Sequence, residues 1–405
     1  MLVVPIDEAE PGMKLVMSVV HPEHPDQELL RPGYMLDRAV LSKLRALEVP
    51  VLYVDYPDLA ELDRLLDAHL SPARQVIYSQ IKQTIHAVQH QSRPTVTFAD
   101  YYSATRELIL TLMRQGDHPI YLDILSGSLG MNAVAHATAV AQLSLTLGIR
   151  LEQYLVQQRS RLPSKHAREV INLGVGAMLH DLGKAKLPAQ LQQYTGDSEP
   201  EEEEARKTWQ AHPEIGAEIV RQGVEASATA AIRQHHQYYD GSGFPASSRD
   251  GAAPAPQAGD RIHVFARIIL AADLYDGLTI GPDKRRRWPI EILHLMRTRF
   301  AARIDPHILA FMPEVIPPLP PGTRVTLSDG TTAIVTVLDK DEPYFPTVKR
   351  IVDGKMKLAE EPTKLDPSTG PHVVRLGSLN VEPMIAAAER QGAGQLDAAL
   401  APVGG

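Results

Sequence analysis

The sequence predicts a mainly α-helical protein: a helical bundle preceded by a small α/β module and followed by a small antiparallel β-barrel or sheet. Three observations predict it. Between residues 132 and 300, apolar runs of helical length recur and are punctuated by glycine or proline. Ahead of them, short β-like runs flank a single helix-length segment. After residue 313 the helical period gives way to alternation.

In chain order, residues 14–20 and 51–54 read as strands, residues 38–47 as a helix, and Arg31-Pro32-Gly33 as the turn between them. Together they make an N-terminal module over residues 1–66. Residues 67–120 form a polar helical connector in which Ile77, Ile81 and Ile85 make one apolar stripe. His86 and His90 share a helix face there but lack an acidic neighbour, so they read as surface residues. Residues 121–318 hold helices over 132–147, 168–182, 213–223, 226–234, 264–278 and 289–300, the first two closed by Gly148 and Gly183. The acidic run at 199–204 reads as a solvated loop or helix start. Pro317 to Gly322 is a stiff linker. Beyond it, Asp329-Gly330 sits between alternating runs as a hairpin turn, and residues 348–352 and 373–376 supply further strands of a β domain over 319–383. An Ala- and Gly-rich stretch, 384–405, reads as a flexible tail.

A chain of 405 residues is long enough for two or three domains. With no cysteine, disulfides, thiolate ligands and a cysteine nucleophile are excluded, and any metal must sit on His, Asp or Glu. No signal peptide and no apolar stretch of membrane-spanning length is present, so a cytoplasmic protein without membrane insertion is expected. The formal net charge of −8 argues against duplex nucleic acid as a partner.

The chemistry concentrates in one ordered series. His180-Asp181 stands within Ala177-Met178-Leu179-His180-Asp181-Leu182-Gly183-Lys184, and an adjacent imidazole and carboxylate can address neighbouring cations. His212 follows in Ala-His-Pro-Glu-Ile-Gly, then His235-His236, then Asp240-Gly241-Ser242-Gly243-Phe244-Pro245, and last a run ending Ala272-Asp273-Leu274-Tyr275-Asp276; His136 lies upstream. Lys184, one helical turn past His180, would bring an ammonium beside the pair. Arg267 and the cluster Lys284-Arg285-Arg286-Arg287 offer guanidinium forks of the kind that suit anionic oxygens.

In this order the segments resemble the HD-GYP branch of the HD phosphohydrolase superfamily, over roughly residues 121–318. The resemblance implies an all-helical HD-type domain, cyclic di-GMP as substrate, and two divalent metal ions, iron or manganese before zinc. It also implies that Asp181 bridges, that His136, His180 and Asp273 complete one metal's shell, and that His212, His235 and His236 complete the other's. Lys184 would then serve catalysis beside Asp181, with Asp240, Arg267, Lys284 and Arg287 on the substrate. The expected product is linear pGpG, with GMP from a second turnover where the pocket is open enough. A GGDEF-domain protein and a second copy of the chain are the expected macromolecular partners. Four positions depart from the pattern. Phe244 replaces the Tyr of the Gly-Tyr-Pro signature, Gln237 replaces a Glu, and residues 246–261 are longer and Pro/Ala-rich. Asn132 stands where trinuclear members carry Glu, which favours two metals over three. The alternatives are a non-catalytic cyclic di-GMP receptor and an HD hydrolase of another nucleotide.

Overall fold

The computed structural model describes residues 1–21, 27–65, 70–91, 94–114, 133–194, 198–246, 255–283, 285–352, 357–366, 368 and 370–399. In the N-terminal module, β1 (Leu2–Pro5), β2 (Val19–Val20), β3 (Glu28–Leu30), α1 (Arg38–Ala46) and β4 (Val51–Val54) follow one another. β1 pairs antiparallel with β4, and β2 with β3. The Asp37 carboxylate caps α1 by accepting from the Val40 amide at 2.8 Å.

The helices α2 (Leu70–His90) and α3 (Phe98–Arg114) pack antiparallel-hairpin fashion against a bundle of α4 (Ala133–Arg150), α5 (Glu152–Gln158), α6 (Ser164–Ala167), α7 (Ile171–Leu179), α8 (Glu203–Gln210), α9 (His212–Val220), α10 (Ala226–Gln234), α11 (Val264–Gly277), α12 (Pro289–Arg299) and α13 (Pro306–Val315). At its centre α4 crosses both α7 and α11, and these three helices are buried over most of their length. A helix that is apolar on every side has to be enclosed, and this is where the main core lies. Ile77 and Ile81 of the connector stripe belong to that same core, with Ile85 packed against it.

Two glycines act differently from the helix stops expected of them. α4 runs through Gly148 to Arg150, because Gly148 is a crossing point: a Cβ there would meet Leu173 Cδ2 at 2.4 Å. Gly183 is likewise a close approach, since a Cβ would lie 2.0 Å from the carbonyl oxygen of His212. It lets the 3-10 turn Leu182–Lys186 press against the start of α9.

The C-terminal strands β5 (Arg324–Leu327), β6 (Thr332–Val337), β7 (Thr347–Arg350), β8 (Thr363–Lys364), β9 (Val373–Leu376) and β10 (Leu379–Asn380) form one antiparallel sheet ordered β10-β9-β5-β6-β7-β8. It is an open sheet, not a barrel, because its outer strands β10 and β8 do not pair with each other. One face is covered instead by α14 (Glu382–Ala399), which buries Ile385 and Ala388 in the sheet's core. That helix replaces the flexible tail expected from residue 384. Alanine is the best helix former, and two apolar contacts anchor the first turns.

The N-terminal module does not bury its core alone. Ile334 and Leu358, from the C-terminal sheet region, lie in the same apolar cluster as Leu2, Val4, Leu41 and Leu52. The Val3 amide donates to the Gly322 carbonyl at 2.9 Å, and Lys349 Nζ to Glu61 Oε1 at 2.6 Å. No described helix is long and apolar enough to cross a membrane.

Candidate metal centre

The bundle gathers the five expected histidine ligands around a common carboxylate, Asp181. Its side-chain oxygens lie 3.3 Å from His212 Nε2 and 3.6 Å from His235 Nε2 on one side, and 3.5 Å from His180 Nε2 and 3.6 Å from His136 Nε2 on the other. Two sets of donor atoms, each within 4.8 Å of one another, therefore share Asp181: one with His212, His235 and His236, the other with His136 and His180. Asp273 joins the second set, its Oδ1 lying 3.1 Å from His136 Nε2.

Local structure explains why three of these imidazoles face inward. His180 closes α7, His235 closes α10, and His212 follows the last turn of α8. The carbonyls of a helix's last turn lack intrahelical partners. Each ring satisfies one: Nδ1 contacts the carbonyl oxygen three residues earlier, Ala177 at 2.8 Å, Trp209 at 2.7 Å and Ile232 at 2.7 Å. A carbonyl can only accept, so Nδ1 carries the proton, and Nε2 of a neutral ring points a lone pair at Asp181.

His136 is held differently. Its Nδ1 contacts Asp276 Oδ2 at 2.7 Å, one turn along α11 from Asp273. The sequence reading passed over Asp276; the i, i+3 spacing from Asp273 was the available signal, because it puts both carboxylates on one helix face.

Charge follows the same division. Burial lowers the pKa of His180 and of His212 to about 4, outweighing the nearby Asp181 in each case. Burial also holds His236 well below its ordinary value, reinforced by His235 and His212. Burial acts on His136 in the same direction, but the Asp273 and Asp276 carboxylates beside the ring overcome it and push it up to about 10. Asp181 resists burial and stays well below the usual carboxylate range, mainly through Lys184 and His180, with His212 and His235 beside it.

The donor set fits divalent cations. His180 Nε2, both ring nitrogens of His236, Asp181 Oδ1 and Asp273 Oδ1 are buried without a hydrogen-bond partner. Buried imidazole lone pairs directed at a carboxylate oxygen repel it unless a positive charge lies between them. Nitrogen and carboxylate donors suit iron, manganese or zinc.

Lys184 is also buried here, on the turn after Asp181. Its Nζ donates to Asp181 Oδ2 at 2.6 Å and to the Tyr194 carbonyl at 2.7 Å, and lies 5.7 Å from the centre of the Trp209 ring. Trp209, fully buried, packs against His212, His236 and Phe244, a role the sequence does not announce. Phe244 lies nearly parallel to His236 with ring centres 4.5 Å apart. Gln237 Nε2 donates to the Pro245 carbonyl at 2.5 Å and its Oε1 accepts from the Gln257 amide at 2.6 Å, so it braces the Gly-Phe-Pro turn from within.

The expected substrate contacts fare otherwise. Arg267 is 2% exposed. Its Nη1 donates to Asp305 Oδ2 at 2.5 Å, Tyr154 Oη at 2.8 Å and Asp260 Oδ1 at 3.0 Å, and its Nη2 to Gln158 Oε1 at 2.6 Å. It joins α5, α11 and the cap of α13, which corrects the expectation of a phosphate ligand: the charge is already matched by buried partners. Asp240 accepts from the amide and hydroxyl of Ser242 at 2.9 and 2.7 Å, so it shapes the turn. Arg287 Nη1 donates to the Leu278 carbonyl at 2.8 Å, and the side chain lines a cleft of about 1190 Å³ shared with the N-terminal module. Lys284 and Asn132 lie outside the described residues.

Comparison with known proteins bears on the same region. Residues 140–308 match the model of the HD domain. The chain is 32% identical over 127 residues to the cyclic di-GMP phosphodiesterase response regulator RpfG of Xanthomonas campestris pv. campestris, covering 30% of each chain. It is 28% identical over 146 residues to the 3′3′-cGAMP-specific phosphodiesterase 3 of Vibrio cholerae serotype O1, covering 36% of this chain and 29% of that one. The matches thus span about 30% of the length of these curated relatives. Among solved structures, the HDG"Y"P protein Bd1817 of Bdellovibrio bacteriovorus aligns with a TM-score of 0.40 at 14% identity, over 76% of this chain and 96% of that one. The segment that matches the HD domain holds every residue of the buried histidine–aspartate centre except His136, which lies just ahead of it.

Proposed function

We propose that the chain is a metal-dependent phosphodiesterase that opens cyclic di-GMP to linear pGpG, with GMP as the product of a second cleavage. The observation that carries this reading is the pair of buried donor sets sharing Asp181. His136, His180, Asp181 and Asp273 would hold one divalent ion and Asp181, His212, His235 and His236 the other. Bound there, such ions lower the pKa of water to near neutrality and neutralise charge on the phosphoryl oxygens. The chain's own part is positional. Backbone carbonyls fix the orientation of three imidazoles, and Asp276 fixes that of His136. Lys184, with its ammonium against Asp181, adds a positive charge where negative charge grows in the transition state. Cleavage breaks the bond from phosphorus to the ribose 3′ oxygen as water oxygen bonds to phosphorus, leaving a 5′-phosphate on the linear product.

The relatives' names favour a cyclic dinucleotide as substrate and leave two candidates, cyclic di-GMP and 3′3′-cGAMP. Anaerobically purified protein should contain about two metals per chain. Chromatography after incubation with each dinucleotide should reveal a linear product that a chelator abolishes. Metal-loaded protein that leaves both substrates intact would remove the enzyme reading and favour a receptor. A GGDEF-domain protein and a second copy of the chain are the partners to seek by co-purification.

A further inference from the structure

A cavity of about 460 Å³ lies between the end of α5, the end of α10 and the start of α11, lined by Arg159, Arg161, Gln234, Arg261, His263 and Arg267 among others. None of the centre's histidines or aspartates lines it. Among the described residues its walls hold four guanidinium groups and one carboxylate, Asp260, in a chain whose net charge is −8. We propose that this cavity is a second binding site for a small phosphate-bearing anion, separate from the metal centre.

The four arginines divide into two pairs. Arg159 and Arg267 are fixed: Arg159 Nη1 donates to the carbonyls of His166, Ala167 and Glu169 at 3.1, 2.7 and 3.2 Å, and its guanidinium lies 4.7 Å from the centre of the Phe265 ring. Arg267 is held by the buried partners already described, and its Nε is buried without a hydrogen bond. Arg267, its charge matched by Asp305 and Asp260, stiffens the wall, and Arg159 contributes positive potential without moving. Arg161 and Arg261 are exposed and their side chains have no partner among the described residues, so their forks are free to close on phosphate oxygens.

Backbone adds to this. The 14-residue helix α11 begins at the cavity, with Val264 in its wall, so the positive end of its dipole faces the same space. His263 caps that end, Nδ1 accepting from the Phe265 amide at 3.2 Å. Burial, with Arg159 and Arg267, lowers its pKa to about 4, so it adds no charge at neutral pH. With His263 neutral and Arg267 paired to Asp305, the described lining sets Arg159, Arg161 and Arg261 against the one carboxylate of Asp260. Ser160 and Ser227 supply hydroxyl donors, and the volume falls in the range of small-ligand pockets, roughly 300–1,000 Å³. Gln234, immediately before the ligand His235, accepts from the His263 amide at 2.7 Å and so joins the cavity floor to the centre's α10.

The test uses the full metal-loaded chain and two probes, inorganic phosphate and guanosine 5′-monophosphate, followed by isothermal titration calorimetry. Each probe can also bind at the metal centre, so two backgrounds are compared, the native chain and His236→Ala. In both, the double variant Arg161→Ala, Arg261→Ala should weaken one class of sites by about tenfold or more, since each lost fork removes a charge-assisted contact. Arg161→Lys, Arg261→Lys should recover only part of it. Both residues are exposed, and an unchanged melting temperature shows that the variants fold. Phosphate alone binding at this site would identify free phosphate as the ligand, and tighter binding of the nucleotide would identify a nucleotide phosphate. Binding unchanged in the arginine variants, or lost wholly in His236→Ala, would overturn the proposal.

Discussion

The histidines around Asp181 are held by two kinds of contact. His180, His212 and His235 rest on carbonyls of their own chain three residues back, contacts that each helix end makes without help from elsewhere. His136 depends on Asp276, 140 residues further along, and so on the crossing of α4 with α11. Burial lowers His180 and His212, of the first kind, to about 4; the second kind sets one imidazole among carboxylates and raises its pKa to about 10. Locally anchored ligands persist while their helix does, whereas a ligand held by a distant carboxylate follows the packing of the bundle. Of the two donor sets, the one with His136 is therefore the one whose geometry follows the crossing of α4 with α11.

Asp181 serves both sets, so changing it should have the largest effect. Asp181→Ala should abolish turnover and release metal from both sets, because two cations without the shared carboxylate repel each other. Elemental analysis showing full metal content with full activity would break the picture at its middle. Lys184→Ala should spare both ligand sets and lower kcat by ~10²–10³, the usual loss when one electrostatic stabiliser of a developing charge is removed. Metal content falling in step with rate would reassign Lys184 to holding Asp181.

The comparison itself is tested by Asp276→Asn. Loss of a partner behind a ligating histidine typically lowers metal affinity by about 10–100-fold. That loss should appear in one of two binding steps when metal is titrated, leaving the His212, His235 and His236 set unchanged. Equal weakening of both steps would show that the sets are not independent. The smallest change belongs to Phe244→Tyr. Phe244 is 7% exposed and lies along His236, so it acts by packing, and the substitution should alter the hydrolysis rate by less than about threefold, ~0.7 kcal/mol in the barrier. A tenfold rise would give the hydroxyl a catalytic part.

The candidate ligand positions were legible because His180, His212 and His235-His236 stand in one ordered series of motifs, and the structure gathers them around Asp181. Arg267 was not. An arginine on a helix reads the same whether it meets a phosphate or a buried carboxylate, and its partners Tyr154, Gln158 and Asp305 come from distant segments. The substitution at Gln237 is legible only afterwards, through its bonds to Pro245 and Gln257. Gly148 misled for a related reason: a glycine needed for close helix crossing looks, in sequence, like a glycine that ends a helix. The helix at residues 382–399 was missed because its Ala-rich composition was weighed without the sheet that receives Ile385.

The shared core of the first and last modules sets an order of assembly. Leu2, Val4 and Leu52 are complete as a core only once Ile334 and Leu358 have arrived. At about 5–20 residues per second, the intervening chain takes roughly 15–60 s to emerge from a ribosome. During that interval the leading strands expose an unfinished apolar face, while the helical bundle behind them can already close around its own core. The nascent chain is thus sealed last at the joint between its two flanking modules, and a chaperone that shields the leading segment would act in that window.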